Sequence, residues 1–99
     1  MAVKRVITKV RPNTEVDFET FSTSVNNYIT TNYINTGKQT KSTVSLSEDG
    51  LTRTAERTFT NSTVCNEFET DSTISEANNS LKISQQNNGI ALSKSIVED

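Results

Sequence analysis

Two arginine side chains, Arg53 and Arg57, have the chemistry and spacing that suit a ligand site. They fall in the stretch LTRTAERTF, whose strict alternation predicts a strand with Leu51, Ala55 and Phe59 on the same face as both arginines. A guanidinium at the edge of a cavity binds a carboxylate, phosphate or enolate oxygen through two parallel hydrogen bonds. The alternative is that the arginine stems cover apolar surface while the heads reach solvent or an acidic neighbour.

Two tyrosines are candidates for the same site, and Glu56 and Cys65 are two further side chains whose roles must be weighed. Tyr28 and Tyr33 would line a cavity and donate hydrogen bonds, or they belong to the core with their hydroxyls at its rim. Glu56 would act as a general base if burial raised its pKa, but it lies on a Thr-rich strand face that suits a surface or an interface. Cys65 is expected to be a small buried hydrophobic residue.

The absence of histidine narrows the possible chemistry. The chain contains no His and one Cys. Histidine-assisted nucleophile systems and cysteine or histidine zinc sites therefore cannot be assembled within one chain. We expect no metal and no cofactor.

Hydrophobic periodicity and turn residues predict four strands, at residues 2–11, 38–47, 51–60 and 90–97. A long helix is expected over residues 14–36, begun by Thr14 and closed by Gly37. After the third strand, a short helix is expected, capped by Asn61 or Ser62 and ending near Phe68. Asp71 or Ser72 caps a further helix that Gly89 ends.

This element order is β-α-β-β-α-β, which predicts an α+β fold in a single domain, residues 1–99. Its expected architecture is a ferredoxin-like sandwich with an antiparallel four-stranded sheet and the helices on one face. The first and third strands are expected in the centre and the second and fourth at the edges. A β-rich alternative would require the apolar stripe in residues 14–36 to arise by chance.

The element order and the stretch TFTNSTVCNEFETDSTISEANNSLKISQQNNGIALSKSIV resemble the dimeric α/β-barrel superfamily, which includes the antibiotic biosynthesis monooxygenase-like group. The resemblance spans the whole chain, but it is architectural rather than catalytic. It implies two protomers packed sheet against sheet into a barrel, with a possible small-molecule site between sheet and helices. Members that degrade or use haem rely on a His, which this chain lacks.

Composition points to an oligomer. Only 31% of the residues are hydrophobic and none is Trp, so the core must be thin, and a partner subunit often completes a thin core. The Thr-rich face of the third strand suits a partner sheet, and we expect a homodimer or a higher homo-oligomer. The net charge is −2. The chain has no clustered basic face, so we expect no nucleic-acid partner, and it has no long apolar run, so we expect no membrane partner. The segment MAVKRVITKV has charges where a secretory signal would be apolar, which predicts a cytoplasmic protein.

The sequence leaves three functions open. The first is a dimeric α/β-barrel module that binds a small molecule, with Arg53, Arg57, Tyr28 and Tyr33 as ligand-binding residues, or that serves assembly. The second is a cofactor-independent monooxygenase or isomerase acting on an aromatic or quinol substrate, which needs only a pocket and oxyanion stabilisation. The third is a viral or phage structural component. A deep apolar pocket lined by Arg and Tyr would favour the second.

Overall fold

The computed structural model describes residues 1–99 and contains one antiparallel sheet of four strands. The strands are β1 (Val3–Val10), β2 (Gln39–Leu46), β3 (Thr52–Phe59) and β4 (Ala91–Glu98), and their order across the sheet is β2-β3-β1-β4. The α+β class is confirmed, and the arrangement is compatible with a ferredoxin-like fold.

Three α-helices and one π-helical turn complete the domain. Helix α1 (Thr23–Ile29) continues directly into the π-helical turn Thr30–Ile34. Helices α2 (Ser62–Thr70) and α3 (Ser72–Asn87) are separated by Asp71 alone. None of these helices has the length and apolar character required to span a membrane.

The long helix expected over residues 14–36 is shorter than predicted, because residues 11–22 form a loop. Thr14 is not its cap; the Ser22 side chain caps α1 by accepting a hydrogen bond from the Val25 amide, with 3.3 Å between Oγ and N. Local side-chain bonds compete with helix formation in the loop, since the Asp17 carboxylate accepts a bond from the Glu19 amide.

Arg11 also holds this loop, which we call the 11–22 loop. Its guanidinium donates to the carbonyls of Val16 and Gly50 and lies 4.3 Å from the Phe18 ring centroid. Glu19 adopts a left-handed backbone conformation with φ of 56°, which a continuous helix forbids. Tertiary contacts therefore override the helical periodicity of the sequence here.

The caps expected farther along the chain are present. The Asn61 side chain accepts a bond from the Val64 amide and begins α2. The Asp71 carboxylate accepts bonds from the amides of Thr73 and Ile74 and begins α3. Gly89 follows α3 with a φ of 82°, the left-handed conformation that a glycine adopts without steric conflict.

A small core joins the helices to one face of the sheet. Seven buried residues form it: Val3, Ile29, Tyr33, Phe59, Cys65, Phe68 and Ile74. Val3 and Phe59 are cross-strand neighbours on β1 and β3, so the odd-numbered residues of both strands face the helices. Cys65 is 2% exposed, which confirms its expected burial. Only 14 of the 99 residues are buried, so the core is thin, as the composition predicts.

Candidate functional site: a basic cleft between sheet and helices

A cleft of about 630 Å³ lies between the helix-facing side of the sheet and the helices. Its floor comes from β1 and β3, where the odd-numbered positions from Arg5 to Lys9 lie opposite those from Arg53 to Arg57. Alternation along the two strands therefore aims these side chains at the cleft. Val44 on β2 and Leu92 on β4 extend the floor on either side.

Helix α3 covers the cleft with a polar stripe instead of an apolar one. Ser75, Asn78, Asn79 and Lys82 follow the three- and four-residue spacing of one helix face and line the cleft. A helix packed tightly on a sheet normally presents apolar residues there. This face is suited to a cavity that holds water or a polar ligand.

The cleft carries an excess of positive charge. Six basic residues line it, namely Arg5, Lys9, Arg53, Arg57, Lys82 and Lys94, together with two acidic residues, Glu56 and Glu69. On the floor, Arg5 lies directly across from Arg57, and Lys9 lies directly across from Arg53. Like charges that face each other across a strand pair destabilise the sheet. A bound anion would relieve that repulsion.

Arg5 and Arg57 lie over the Phe68 ring, with guanidinium carbons 5.4 Å and 5.5 Å from its centroid. The Arg5 Nε donates to the Glu69 carboxylate, which also accepts from Lys94 Nζ at 2.6 Å. The Arg57 guanidinium donates to Gln39 Oε1 at 3.1 Å, a neutral acceptor. Burial, followed by the charges of Arg5 and Arg53, lowers the pKa of Arg57 to about 10.

The second pair of cations has no acidic partner. Arg53 forms none of the ion pairs of the chain. Lys9 is 9% exposed, and its ammonium donates to the Glu19 carbonyl at 3.2 Å. Burial, and then the charges of Arg53 and Arg5, lower the pKa of Lys9 to about 8, although the Glu19 carboxylate raises it. This end of the cleft therefore holds two cations that form no ion pair with a protein carboxylate.

The 11–22 loop closes this end of the cleft, where Thr20 and Phe21 line it. Gln85 on α3 is 2% exposed and donates its amide to the carbonyls of Phe18 and Glu19, at 2.6 Å and 2.9 Å. The Glu19 carboxylate accepts a bond from Ser84 Oγ at 2.8 Å. These bonds attach the loop to α3.

The structure brings together only part of the set suggested by the sequence. Arg53 and Arg57 both line the cleft, on the strand face that alternation predicts. Tyr28 and Tyr33 lie outside it, because both hydroxyls donate to the same Asp71 oxygen at 2.8 Å. Arg5 and Lys9 are additional cleft residues that the sequence analysis did not select.

No protein-family model, curated protein sequence or solved structure matches the chain. Within the chain, no group of three or more His, Cys, Asp or Glu side chains has a metal-binding arrangement. The site's own geometry therefore carries the functional argument below.

Proposed function

We propose that the protein is a binding module for a small acidic molecule, held in the cleft between the sheet and the helices. One observation carries the proposal. Two facing pairs of cations, Arg5 with Arg57 and Lys9 with Arg53, lie on the floor of one cleft, and the second pair lacks an acidic partner. Such an arrangement is electrostatically unfavourable when empty and favourable when an anion occupies it.

The composition of the lining supports binding in preference to oxidation or isomerisation of an aromatic or quinol substrate. Six of the 22 lining residues are hydrophobic, and neither Tyr28 nor Tyr33 is among them. A quinol site would need a deeper apolar wall, as well as a hydroxyl or base positioned on the ring. The cationic floor favours carboxylate or phosphate oxygens instead.

Isothermal titration calorimetry at low ionic strength, with citrate and pyrophosphate as probes, tests the proposal. Arg53→Met keeps most of the stem packing and removes a guanidinium that has no acidic partner. The binding free energy of either probe should weaken by about 1.5–3 kcal/mol, the scale of a charge-assisted hydrogen bond. The absence of binding by both probes to the unmodified protein would refute the proposal.

Lys41→Met provides the matched control. Lys41 is exposed and lines a small recess formed with Lys4 and Glu56, outside the basic cleft. The Lys41→Met substitution removes one positive charge from the chain, as Arg53→Met does. If both substitutions weaken probe binding equally, the attraction comes from overall charge and not from the cleft.

We also propose that two copies of the chain pair through the opposite face of the sheet, as the resemblance to dimeric barrels implies. The even-numbered positions of β1 and β3, together with the odd-numbered positions of β4, form this outer face, which carries Val6, Thr54 and Val97. Val97 is 45% exposed in the single chain. A β-branched, weakly apolar sheet surface of this kind is suited to another sheet.

A further inference from the structure

We infer that the ligand of the cleft is an elongated dianion with an apolar middle, of the class of medium-chain or aromatic dicarboxylates. This inference rests on the proposed function and adds the shape of the ligand to it. The observation behind it is the order of side chains along the floor. From one end to the other, the cross-strand pairs on β1 and β3 are Arg5 with Arg57, Ile7 with Ala55, and Lys9 with Arg53.

The two cationic pairs are well separated. Arg5 and Lys9 are four residues apart on one strand, which corresponds to about 13 Å at the usual rise per residue. A compact anion such as succinate does not reach both pairs at this separation. A ligand with one charged group at each end, joined by a spacer of that length, makes contact with both.

The centre of the floor between the two pairs is apolar. Lys94 on β4 lies beside Ile7 at the edge of this row, but its ammonium bonds to Glu69, which also accepts from Arg5. Ile7 lies opposite Ala55, and Val44 on β2 lies on the other side of Ala55 in the same row. Leu81 and Leu92 line the cleft as well. A hydrocarbon or aromatic spacer buries apolar surface against these side chains, which a sugar or a polyphosphate chain does not do.

The charge balance at each end is consistent with one anionic group per end. At the first end, Glu69 offsets one of the three cations Arg5, Arg57 and Lys94, which leaves a net charge of +2. At the other end, Lys9 and Arg53 carry two positive charges and form no ion pair, and the nearby Glu19 carboxylate offsets at most one of them. Because neither end is neutralised, a monoanion leaves one cationic pair uncompensated, whereas a dianion reaches both.

Calorimetric titration of the intact protein with a graded series of dicarboxylates, namely succinate, adipate, suberate and sebacate, tests this inference. Octanoate serves as the single-ended analogue of suberate. Affinity should rise along the series towards suberate or sebacate. Suberate should bind about ten-fold or more tightly than octanoate, since a second charge-assisted contact is formed only by the dianion.

Arg53→Met provides the decisive variant. In this variant the advantage of suberate over octanoate should disappear, whereas Lys41→Met should retain it. Thermal unfolding followed by circular dichroism verifies that both variants are folded. Should the Arg53 variant not fold, the comparison of suberate with octanoate on the unmodified protein decides alone.

Each result is informative about one claim or the other. Equal affinity for octanoate and suberate, or tightest binding by succinate, overturns the elongated dianion while leaving an anion-binding cleft in place. Binding of citrate or pyrophosphate without binding of any dicarboxylate also overturns the elongated dianion and leaves the anion-binding cleft in place. If no anion in either experiment binds, both the inference and the proposed function fail.

Discussion

The Tyr33 hydroxyl donates a hydrogen bond to Asp71 Oδ2 at 2.8 Å, which connects the π-helical turn to the junction between α2 and α3. The other oxygen of the same carboxylate caps α3 through the amides of Thr73 and Ile74. Tyr28 donates to Oδ2 as well. One carboxylate thus satisfies two hydroxyls and one helix end. We therefore assign the two tyrosines to stability and not to the cleft.

Asp71→Ala should strongly destabilise the fold. It removes the helix cap, worth about 1 kcal/mol. It also leaves the hydroxyl of Tyr33, which is 2% exposed, with only a long bond to the Glu67 carbonyl at 3.4 Å, which costs about 1–3 kcal/mol. We expect a loss of about 2–4 kcal/mol in the free energy of unfolding, measured by urea denaturation.

Tyr33→Phe and Tyr28→Phe separate the two contributions. Each removes a hydroxyl while retaining the ring, and should lower stability by about 1 kcal/mol or less. Neither should alter citrate affinity, because both residues lie outside the cleft. If Asp71→Ala lowers the free energy of unfolding by less than 1 kcal/mol, the junction between α2 and α3 does not depend on this carboxylate.

Glu69→Gln should lower stability and raise anion affinity together. The Glu69 carboxylate accepts hydrogen bonds from Arg5 and Lys94. Burial raises the pKa of Glu69, but the Lys94 hydrogen bond and the Arg5 charge outweigh that effect, so the pKa is lowered overall. Removing one partner of a fully buried pair costs about 3–5 kcal/mol. We expect about 2–3 kcal/mol, because the Lys94 side chain is about half exposed.

The same substitution leaves Arg5 and Lys94 free to contact a ligand, so citrate or suberate should bind more tightly to the variant. Glu67→Gln is the control on the same helix. Glu67 is exposed and its partner Lys38 is partly exposed, and surface pairs contribute about 0–1 kcal/mol. Unchanged or weaker anion binding by Glu69→Gln would mean that Glu69 does not compete with the ligand.

The sequence predicts the strands better than it predicts the site. Each strand lies within about one residue of its expected position because alternation and the turn residues act locally. The face of Arg53 and Arg57 follows from Phe59 and Ala55 by the same alternation. Arg5 and Lys9 were accessible to that reasoning, since they share their face with Val3 and Ile7. Charged side chains are mostly solvent-exposed, so the residue types of Arg5 and Lys9 do not by themselves indicate a cleft.

The 11–22 loop was not predictable from periodicity. Phe18 and Phe21 occur at helical spacing, yet residues distant in sequence hold this loop. Arg11 donates to the Gly50 carbonyl, and Gln85 donates to the Phe18 carbonyl. The positions of Tyr28 and Tyr33 have the same origin. Both occur on the expected helical stripe, but their common acceptor Asp71 is about forty residues away. Periodicity predicts which side is buried and does not identify the partner.

Thr54→Glu should dissociate the proposed dimer. Thr54 is half-buried on the outer face of β3, between Thr8 on β1 and Ser45 on β2. A carboxylate there would be unpaired in a sheet-to-sheet interface, which is costly. Thr58 is a poorer choice because it is already 5% exposed in one chain, so a charge there would impair folding as well.

Sedimentation velocity at tens of micromolar should show a dimer for the unmodified protein and a monomer for Thr54→Glu. Thr31→Glu, on the exposed π-helical turn, adds the same charge away from this face and should remain dimeric. A monomeric unmodified protein at these concentrations would refute the dimer without affecting the cleft.

Anion affinity should decrease as pH rises through about 8, where Lys9 loses its proton. Burial and the neighbouring Arg53 and Arg5 lower its pKa from 10.5, so charge at this end of the cleft falls between pH 7 and pH 9.5. A bound carboxylate favours the charged ammonium and raises this pKa. Binding near pH 8 should therefore take up protons, which calorimetry in buffers of different ionisation enthalpy measures.

The unliganded protein should have the opposite dependence in its stability. The pKa of Lys9 is lower when folded than when unfolded, so the unfolded chain binds more protons between about pH 8 and pH 10.5. Stability contributed by Lys9 rises with pH across that window. Lys9→Met should therefore be more stable than the unmodified protein at pH 7, with the difference disappearing above pH 10.5.

In the Lys9→Met variant, citrate affinity should be weaker at pH 7 and should no longer decrease through pH 8, whereas Lys41→Met should retain the decrease. An affinity of the unmodified protein that is constant from pH 7 to pH 9.5 would assign anion binding to the arginines alone.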